Sequence, residues 1–332
     1  MSVAQLAGVD ELKDLIDRNQ EILIFGHKDA DGDTLGCSLA FAEALRARGK
    51  RVYVVIPPPL PDKYSWMPGF DQIVEGPPPD ADVHLVLFFD AGNMARSGSA
   101  ADQIHDHAIV VNVDHHTSNS RFGDINIIDP DAAAVGQMCL DLFSHFGWEI
   151  TPTMATNLYT ALMTDTGGFR HENTNARALE DGSRLAALGA DPSRIASMVY
   201  KSRPLTTLRL SGLSIASMKV EMGGRLAWAT VTRKMLHEAG AVMAEAEGII
   251  DTVNSIAGLE TAILFKEVGS SLTKMSVRTR GSVDAAKLCA QFGGGGHVRA
   301  AGAEIQLPID QAVEQVLEAT RTAILEASDG RG

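Results

Sequence analysis

The 332-residue chain predicts an α/β protein in two parts: a first domain built on a mainly parallel sheet flanked by helices, and a smaller C-terminal α/β unit. Three observations lead there. Continuous apolar runs of strand length recur through the first half, the form taken by strands buried on both faces. Helical stretches separate those runs, and a strand–helix alternation restarts near Arg225 after a mostly helical stretch.

Taken in order, MSVAQLAGVDELKDLIDRNQ reads as an amphipathic helix and lacks the basic-then-apolar layout of a signal peptide. EILIFGH (21–27) is a short buried strand, followed by a helix from about Thr34 to Arg48. RVYVVI (51–56) is a second strand, ended by the proline-rich segment 57–61. HLVLFFD (84–90) and AIVVNVDHH (108–116) are further strands, and helical patterns follow at about 133–147 and 152–164, so that helices lie on both sides of the sheet. Pro192 and Pro204 punctuate the helical stretch. In the second unit LAWATV, ETAILFKE and LTKMSVRTR read as strands, and 234–256, 283–291 and 309–326 as helices. The expected division is 1–185 for the first domain, 186–222 for a helical connector and 223–330 for the second domain.

A net charge of −13 opposes any long polyanion, whereas proteins that hold duplex nucleic acid carry a basic footprint. A short phosphate-containing substrate is compatible with that balance. Cys37, Cys139 and Cys289 form no CxxC pair and read as three buried small hydrophobes. No apolar run approaches the ~18–20 residues that span a bilayer, so no membrane partner is expected and the cytoplasm is the expected location.

The chemistry gathers at strand ends. The first strand runs into His27-Lys28-Asp29-Ala30-Asp31-Gly32-Asp33, too dense in charge for a routine turn. Asp33, just before the expected helix, is also a candidate N-cap. Asp90 follows LVLFF directly, and Asp114-His115-His116 follows IVVNV. Open α/β sheets bind ligands at the carboxyl ends of their strands, and three separate strands deliver Asp or His there. Asp165 ends an apolar helical stretch, ahead of two glycines that let backbone approach a ligand. Mixed His/Asp ligation suits a divalent metal, Mn²⁺ before Mg²⁺, Co²⁺ or Zn²⁺. Two ions about 3.5–4 Å apart can clamp a phosphoryl group and acidify a water between them. One ion would leave several buried charges unpaired.

These residues resemble the DHH phosphoesterase superfamily, named for the triplet Asp114-His115-His116. The likeness extends to HxxxDxD at His27–Asp33, the strand-end Asp90 and TDTGGF with Asp165, in order over the first ~170 residues. Gly293-Gly294-Gly295-Gly296-His297 resembles the GGGGH signature of the DHHA1 domain, the substrate-binding partner domain of one branch. Length and motif order are most similar to the NrnA-type oligoribonucleases (nanoRNases) with pAp phosphatase activity. The resemblance implies a DHH domain and a DHHA1 domain with the active-site cleft between them. It implies His27, Asp31 and Asp90 on a first metal, and Asp33, Asp90, His115 and Asp165 on a second, with Asp90 as bridge. His116 would contact substrate or donate a proton to the leaving oxygen, and Asp114 would orient a histidine, making Asp90, Asp114 and His116 the catalytic set. Gly294, Gly295 and Gly296 would offer backbone N–H groups to phosphate, with charge-assisted bonds from His297, Arg299 and Arg278. A homodimer through the first domain is a further implication.

The leading expectation is a two-metal enzyme that hydrolyses short oligoribonucleotides to nucleoside monophosphates and pAp to AMP. The competing readings are a phosphodiesterase for cyclic di-AMP or pApA, and a nucleotide sensor that keeps the metal site but turns over little.

Overall fold

The computed structural model describes residues 6–329 and divides between Ser202 and Arg203 into two compact units. The first unit runs α1 (Val9–Arg18), β1 (Glu21–Phe25), α2 (Gly32–Arg46), β2 (Arg51–Val55), β3 (Ile73–Val74), β4 (Leu85–Phe89), β5 (Ile109–Asp114), β6 (Ile125–Ile128), α3 (Val135–His145), α4 (Pro152–Asp165), α5 (Ala176–Ala187) and α6 (Pro192–Tyr200).

Its six strands form one sheet, ordered β3-β2-β1-β4-β5-β6, and every neighbouring pair is parallel. The EILIF and LVLFF runs are buried along their whole length, as strands covered on both faces must be. The chain steps outward in opposite directions from β1 and from β4, so the two lie side by side at a topological switch point, with their carboxyl ends at the crevice where such sheets bind ligands. On one face Ile22, Ile24, Leu87, Phe89 and Val111 share a core with α1 to α6. The other face, with Phe25, Val86 and Phe88, is closed by Tyr53, Ala81, Ile104, Ala108 and Phe122. Helices flank the sheet, but among the described residues α-helical side chains enter the core on one face only. β3 and β6 are too short and too mixed in pattern to have been expected.

Two glycines bring α2 against α4. A Cβ on Gly32 would stand 2.4 Å from Thr164 Oγ1, and one on Gly36 would stand 2.4 Å from the Asn157 carbonyl oxygen. Close approach to the Thr164 side chain and the Asn157 backbone holds the first turns of α2 against α4, the helices that carry Asp33 and Asp165.

The second unit runs α7 (Leu205–Ala216), β7 (Lys219–Glu221), β8 (Leu226–Val231), α8 (Arg233–Ala239), α9 (Ile249–Asn254), β9 (Thr261–Gly269), β10 (Leu272–Thr279), α10 (Ala285–Ala290), β11 (Gly295–Gly296), β12 (Ala300–Ile305) and α11 (Ile309–Asp329). Its sheet is ordered β11-β12-β10-β9-β8-β7, with only β8 and β9 parallel. The three expected strands form. The expected helix 234–256 does not: Gly240 and Gly248 adopt φ of 66° and 82°, and left-handed residues end one helix and precede the next. In the stretch expected as a connector, Ala178, Leu185 and Ile195 of α5 and α6 join the first unit's core, whereas Leu210 of α7 joins the second's. All three cysteines are unpaired and buried. No described helix is long and apolar enough to cross a membrane.

Candidate metal centre

The segment after β1 supplies the first donors. His27 is 2% exposed; its Nδ1 meets the Lys28 carbonyl at 2.6 Å, which turns Nε2 toward Asp90 Oδ2 at 3.4 Å. α2 starts at Gly32, two residues earlier than its pattern suggested, and this changes the roles of two aspartates. Asp31, not Asp33, is the N-cap: its Oδ1 accepts from the amides of Asp33 and Thr34, both at 3.0 Å. Asp33 points into the protein, where its carboxylate accepts from the Val135 amide at 2.7 Å and the Gly136 amide at 2.9 Å. Those amides open α3, so a helix N-terminus faces this carboxylate.

Asp90, just past β4, has φ 59°, a left-handed backbone that aspartate tolerates better than most residues. Its two oxygens face different groups. Oδ2 accepts from Thr34 Oγ1 at 2.7 Å and lies beside His27. Oδ1 lies 3.7 Å from His115 Nε2 and 3.6 Å from His116 Nδ1.

At the end of β5, His115 Nδ1 meets the Ala132 carbonyl at 3.0 Å, which aims Nε2 at Asp165 Oδ2, 3.6 Å away. A backbone partner on one ring nitrogen is how metal-binding histidines are held in one tautomer. His116 Nδ1 pairs with Asp114 Oδ1 at 2.7 Å, while Asn119 Nδ2 donates to Asp114 Oδ2 at 2.5 Å. Asp114 is thus a buried anchor for His116.

The electrostatics are those of crowded anions. Burial, with repulsion from Asp90 and Asp165, pushes Asp33 well above the usual carboxylate range. Burial pushes Asp165 up to about 7, with Asp90 and Asp31 adding to the shift. Burial opposes charge on His115, but Asp165, Asp90 and Asp33 outweigh it and raise the imidazole to about 9. Burial disfavours the Asp90 carboxylate, yet the His27 contact and the three histidines hold its carboxyl far below its ordinary value. Carboxylates that must take up protons or borrow charge from histidines are the donors a cation would relieve. Donor atoms of His27, Asp31 and Asp90 lie within 4.8 Å of one another, as do those of Asp33, His115 and Asp165, and those of Asp90, His115 and His116. The residues therefore fit divalent cations.

In the second unit Arg278 lies opposite Ala300 in the β10–β12 ladder, beside the turn that carries His297 and Arg299. Arg278 Nε is 3.5 Å from Asp251 Oδ1, and Arg299 donates to the Gly281 carbonyl. The glycine run does structural work that the sequence did not suggest. A Cβ on Gly294 would fall 2.1 Å from the Gly302 carbonyl oxygen, and one on Gly296 would fall 2.6 Å from that of Ala300. The Gly294 amide is already used by the Cys289 carbonyl at 2.9 Å. At Gly293 and Gly295 a Cβ would meet nothing within 4 Å, although the Gly293 amide already bonds the Ala290 carbonyl at 3.2 Å.

Thr34, Asn119 and Arg96 were not singled out from the sequence. Arg96 Nη2 lies 3.3 and 3.4 Å from the ring nitrogens of His27, and its carbonyl takes the Lys28 amide at 2.7 Å. No local pattern marks these residues; each works through a contact made by the fold.

A parallel sheet with acidic and histidine donors at its switch point defines a metal-assisted hydrolase of phosphate esters, and comparison with known proteins gives its family. The family model "DHH family, N-terminal domain" matches residues 21–164, and the "DHHA1 domain" model matches 223–326. A Thermus thermophilus protein described as a bifunctional oligoribonuclease and PAP phosphatase NrnA is 33% identical over 92% of this chain and 91% of its own. A Bacillus subtilis protein of the same description is 25% identical, over 86% and 89%. The crystal structure of an exopolyphosphatase-related protein from Bacteroides fragilis superposes with a TM-score of 0.86 at 26% identity, covering 96% of both chains. The chain belongs to the DHH phosphoesterase family, and it carries the DHHA1 domain as well.

Proposed function

We propose that this protein is a cytoplasmic phosphodiesterase and phosphatase that cleaves short oligoribonucleotides to nucleoside monophosphates and pAp to AMP. The observation that carries the reading is the division of Asp90, one oxygen toward His27 and the other toward His115 and His116. One carboxylate shared between two donor groups suits two divalent cations, Mn²⁺ first among them. His27, Asp31 and Asp90 would hold one, and Asp33, Asp90, His115 and Asp165 the other. Such a pair supplies Lewis-acid stabilisation of the phosphoryl oxygens and an acidified water for attack at phosphorus.

The chain's own residues do the rest. His116, braced by Asp114, contacts the phosphoryl group and gives its proton to the departing ribose oxygen as the P–O bond breaks. Asn119 keeps Asp114 oriented, and Thr34 does the same for Asp90. Arg278, His297 and Arg299 bind the distal phosphates of the nucleotide, joined by the Gly295 backbone. Gly294 and Gly296 belong to the same backbone contribution, with the Gly294 amide already engaged by the Cys289 carbonyl. The net charge of −13 disfavours long strands, which limits the substrate to a few nucleotides. We also propose a homodimer formed by the first domain.

The test is a substrate panel with Mn²⁺: RNA 2–5-mers, pAp, pApA and cyclic di-AMP, with Asp90→Ala as control. Mononucleotide release from the oligomers and AMP from pAp are expected. Turnover confined to cyclic di-AMP or pApA would replace the reading with a dinucleotide phosphodiesterase, and binding without turnover would replace it with a nucleotide sensor.

A further inference from the structure

The parallel sheet has a second end, and donors collect there too. His84 immediately precedes β4 with Asp82 two residues before it, and His107 lies two residues before β5, so all three stand at the amino ends of strands whose carboxyl ends carry Asp90 and Asp114. At a rise of roughly 3.3 Å per residue, His84 is about 20 Å from Asp90.

His84 Nε2 lies 2.8 Å from Asp82 Oδ1. One donor atom from each of Asp82, His84 and His107 falls within 4.8 Å of the others. The His84 and His107 ring centroids are 4.5 Å apart, and the His105 ring stacks on His107 at 5.3 Å, 6° from parallel. The backbone holds this arrangement: the Ile109 amide donates to the His84 carbonyl, and the Ala108 amide to the His105 carbonyl, both at 2.9 Å. All four side chains are exposed. Three of the chain's ten histidines therefore crowd one solvent-facing patch. In water they gain little from each other, because protonated rings repel and neutral rings turn lone pairs into the same space. A cation that accepts those lone pairs resolves both problems.

We propose that Asp82, His84 and His107, with His105 beside them, form a surface site for a first-row transition ion, Zn²⁺ in the first place. Imidazole donors favour Zn²⁺, Ni²⁺ and Cu²⁺, whereas the carboxylate-rich group around Asp90 favours Mg²⁺ and Mn²⁺. The two sites are chemically distinct, and neither needs the other. Three protein donors leave a coordination position for water or for a donor from another molecule. The bound ion would clip the segment leading into β4 to the turn leading into β5.

The experiment counts Zn²⁺ per chain by isothermal titration of the full-length protein, made without a histidine tag and stripped with chelator. Wild type is compared with His84→Ala/His107→Ala and with the milder His84→Gln. The double variant is expected to bind one Zn²⁺ fewer than wild type and to melt at the same temperature without metal. His84→Gln, which keeps a polar side chain, is expected to lose the same equivalent and guards against misfolding of the double variant. Equal Zn²⁺ counts in wild type and folded variants overturn the proposal, whatever the enzyme's substrate proves to be.

Discussion

Asp114 Oδ1 sits 2.7 Å from Nδ1 of His116, two residues further along the chain, and Asp114 has no exposed surface. A buried carboxylate on one ring nitrogen fixes the tautomer and the direction of the other. His116→Ala should lower kcat on pAp by about 10²–10⁴, the usual contribution of a positioned proton donor, with little change in KM. Asp114→Asn should lower kcat by less, because the imidazole loses the buried carboxylate that orients it. Steady-state kinetics of both variants across pH test the pair; an unchanged kcat for His116→Ala would remove the histidine from catalysis.

Thr34→Val makes a narrower prediction. Its hydroxyl donates to Asp90 Oδ2 at 2.7 Å in a buried setting. Losing an outer partner of a metal ligand costs about 10–100-fold in metal affinity. The Mn²⁺ concentration for half-maximal activity should rise by that factor, while the rate at saturating Mn²⁺ stays near wild type.

The third prediction concerns pH. His115 is raised to about 9 and Asp165 to about 7 in the metal-free protein. Both lie above their unfolded values of roughly 6.5 and 3.9. Stability from a raised group is present below the unfolded pKa and lost as pH rises through the folded one. Chelator-treated protein should therefore melt at progressively lower temperature between pH 5 and pH 9. Saturating Mn²⁺ should flatten that slope, since it binds the deprotonated forms. Calorimetry in buffers of different ionisation enthalpy should record proton release on Mn²⁺ binding at pH 6.5 and less at pH 8.

Much of the centre was legible because strand pattern and residue chemistry coincide: an apolar run ending in Asp or His is a readable event, and it occurs after β1, β4 and β5. What could not be read is where each carboxylate turns. Asp33 is a plausible cap by its position, yet its partners are the Val135 and Gly136 amides, about a hundred residues away in sequence. Likewise the glycine run looks like a phosphate cradle, but Gly294 and Gly296 are needed for close approach to β12. A run of glycines does not reveal which amides tertiary contacts will consume. His84, His105 and His107 escaped attention because they lie at the ends of strands where α/β sheets do not ordinarily bind ligands.

Packing between α2 and α4 gives a fourth prediction. Gly36→Ala would drive a Cβ to 2.4 Å from the Asn157 carbonyl oxygen and 2.9 Å from Ala161 Cβ. Overpacking of this kind costs about 1–3 kcal/mol, against roughly 1 kcal/mol returned by the better helix former. The variant should melt several degrees lower. It should also need more Mn²⁺, because the same helices carry Asp33 and Asp165. Differential scanning calorimetry with and without Mn²⁺ distinguishes the two effects.

Finally, the amides of Val135 and Gly136, held by Asp33, are a built-in reporter. Their hydrogen-exchange rates depend on how firmly that carboxylate is fixed. Occupancy of the centre should therefore be audible as slowed exchange at the first turn of α3, far along the chain from the HxxxDxD segment, before any substrate is added.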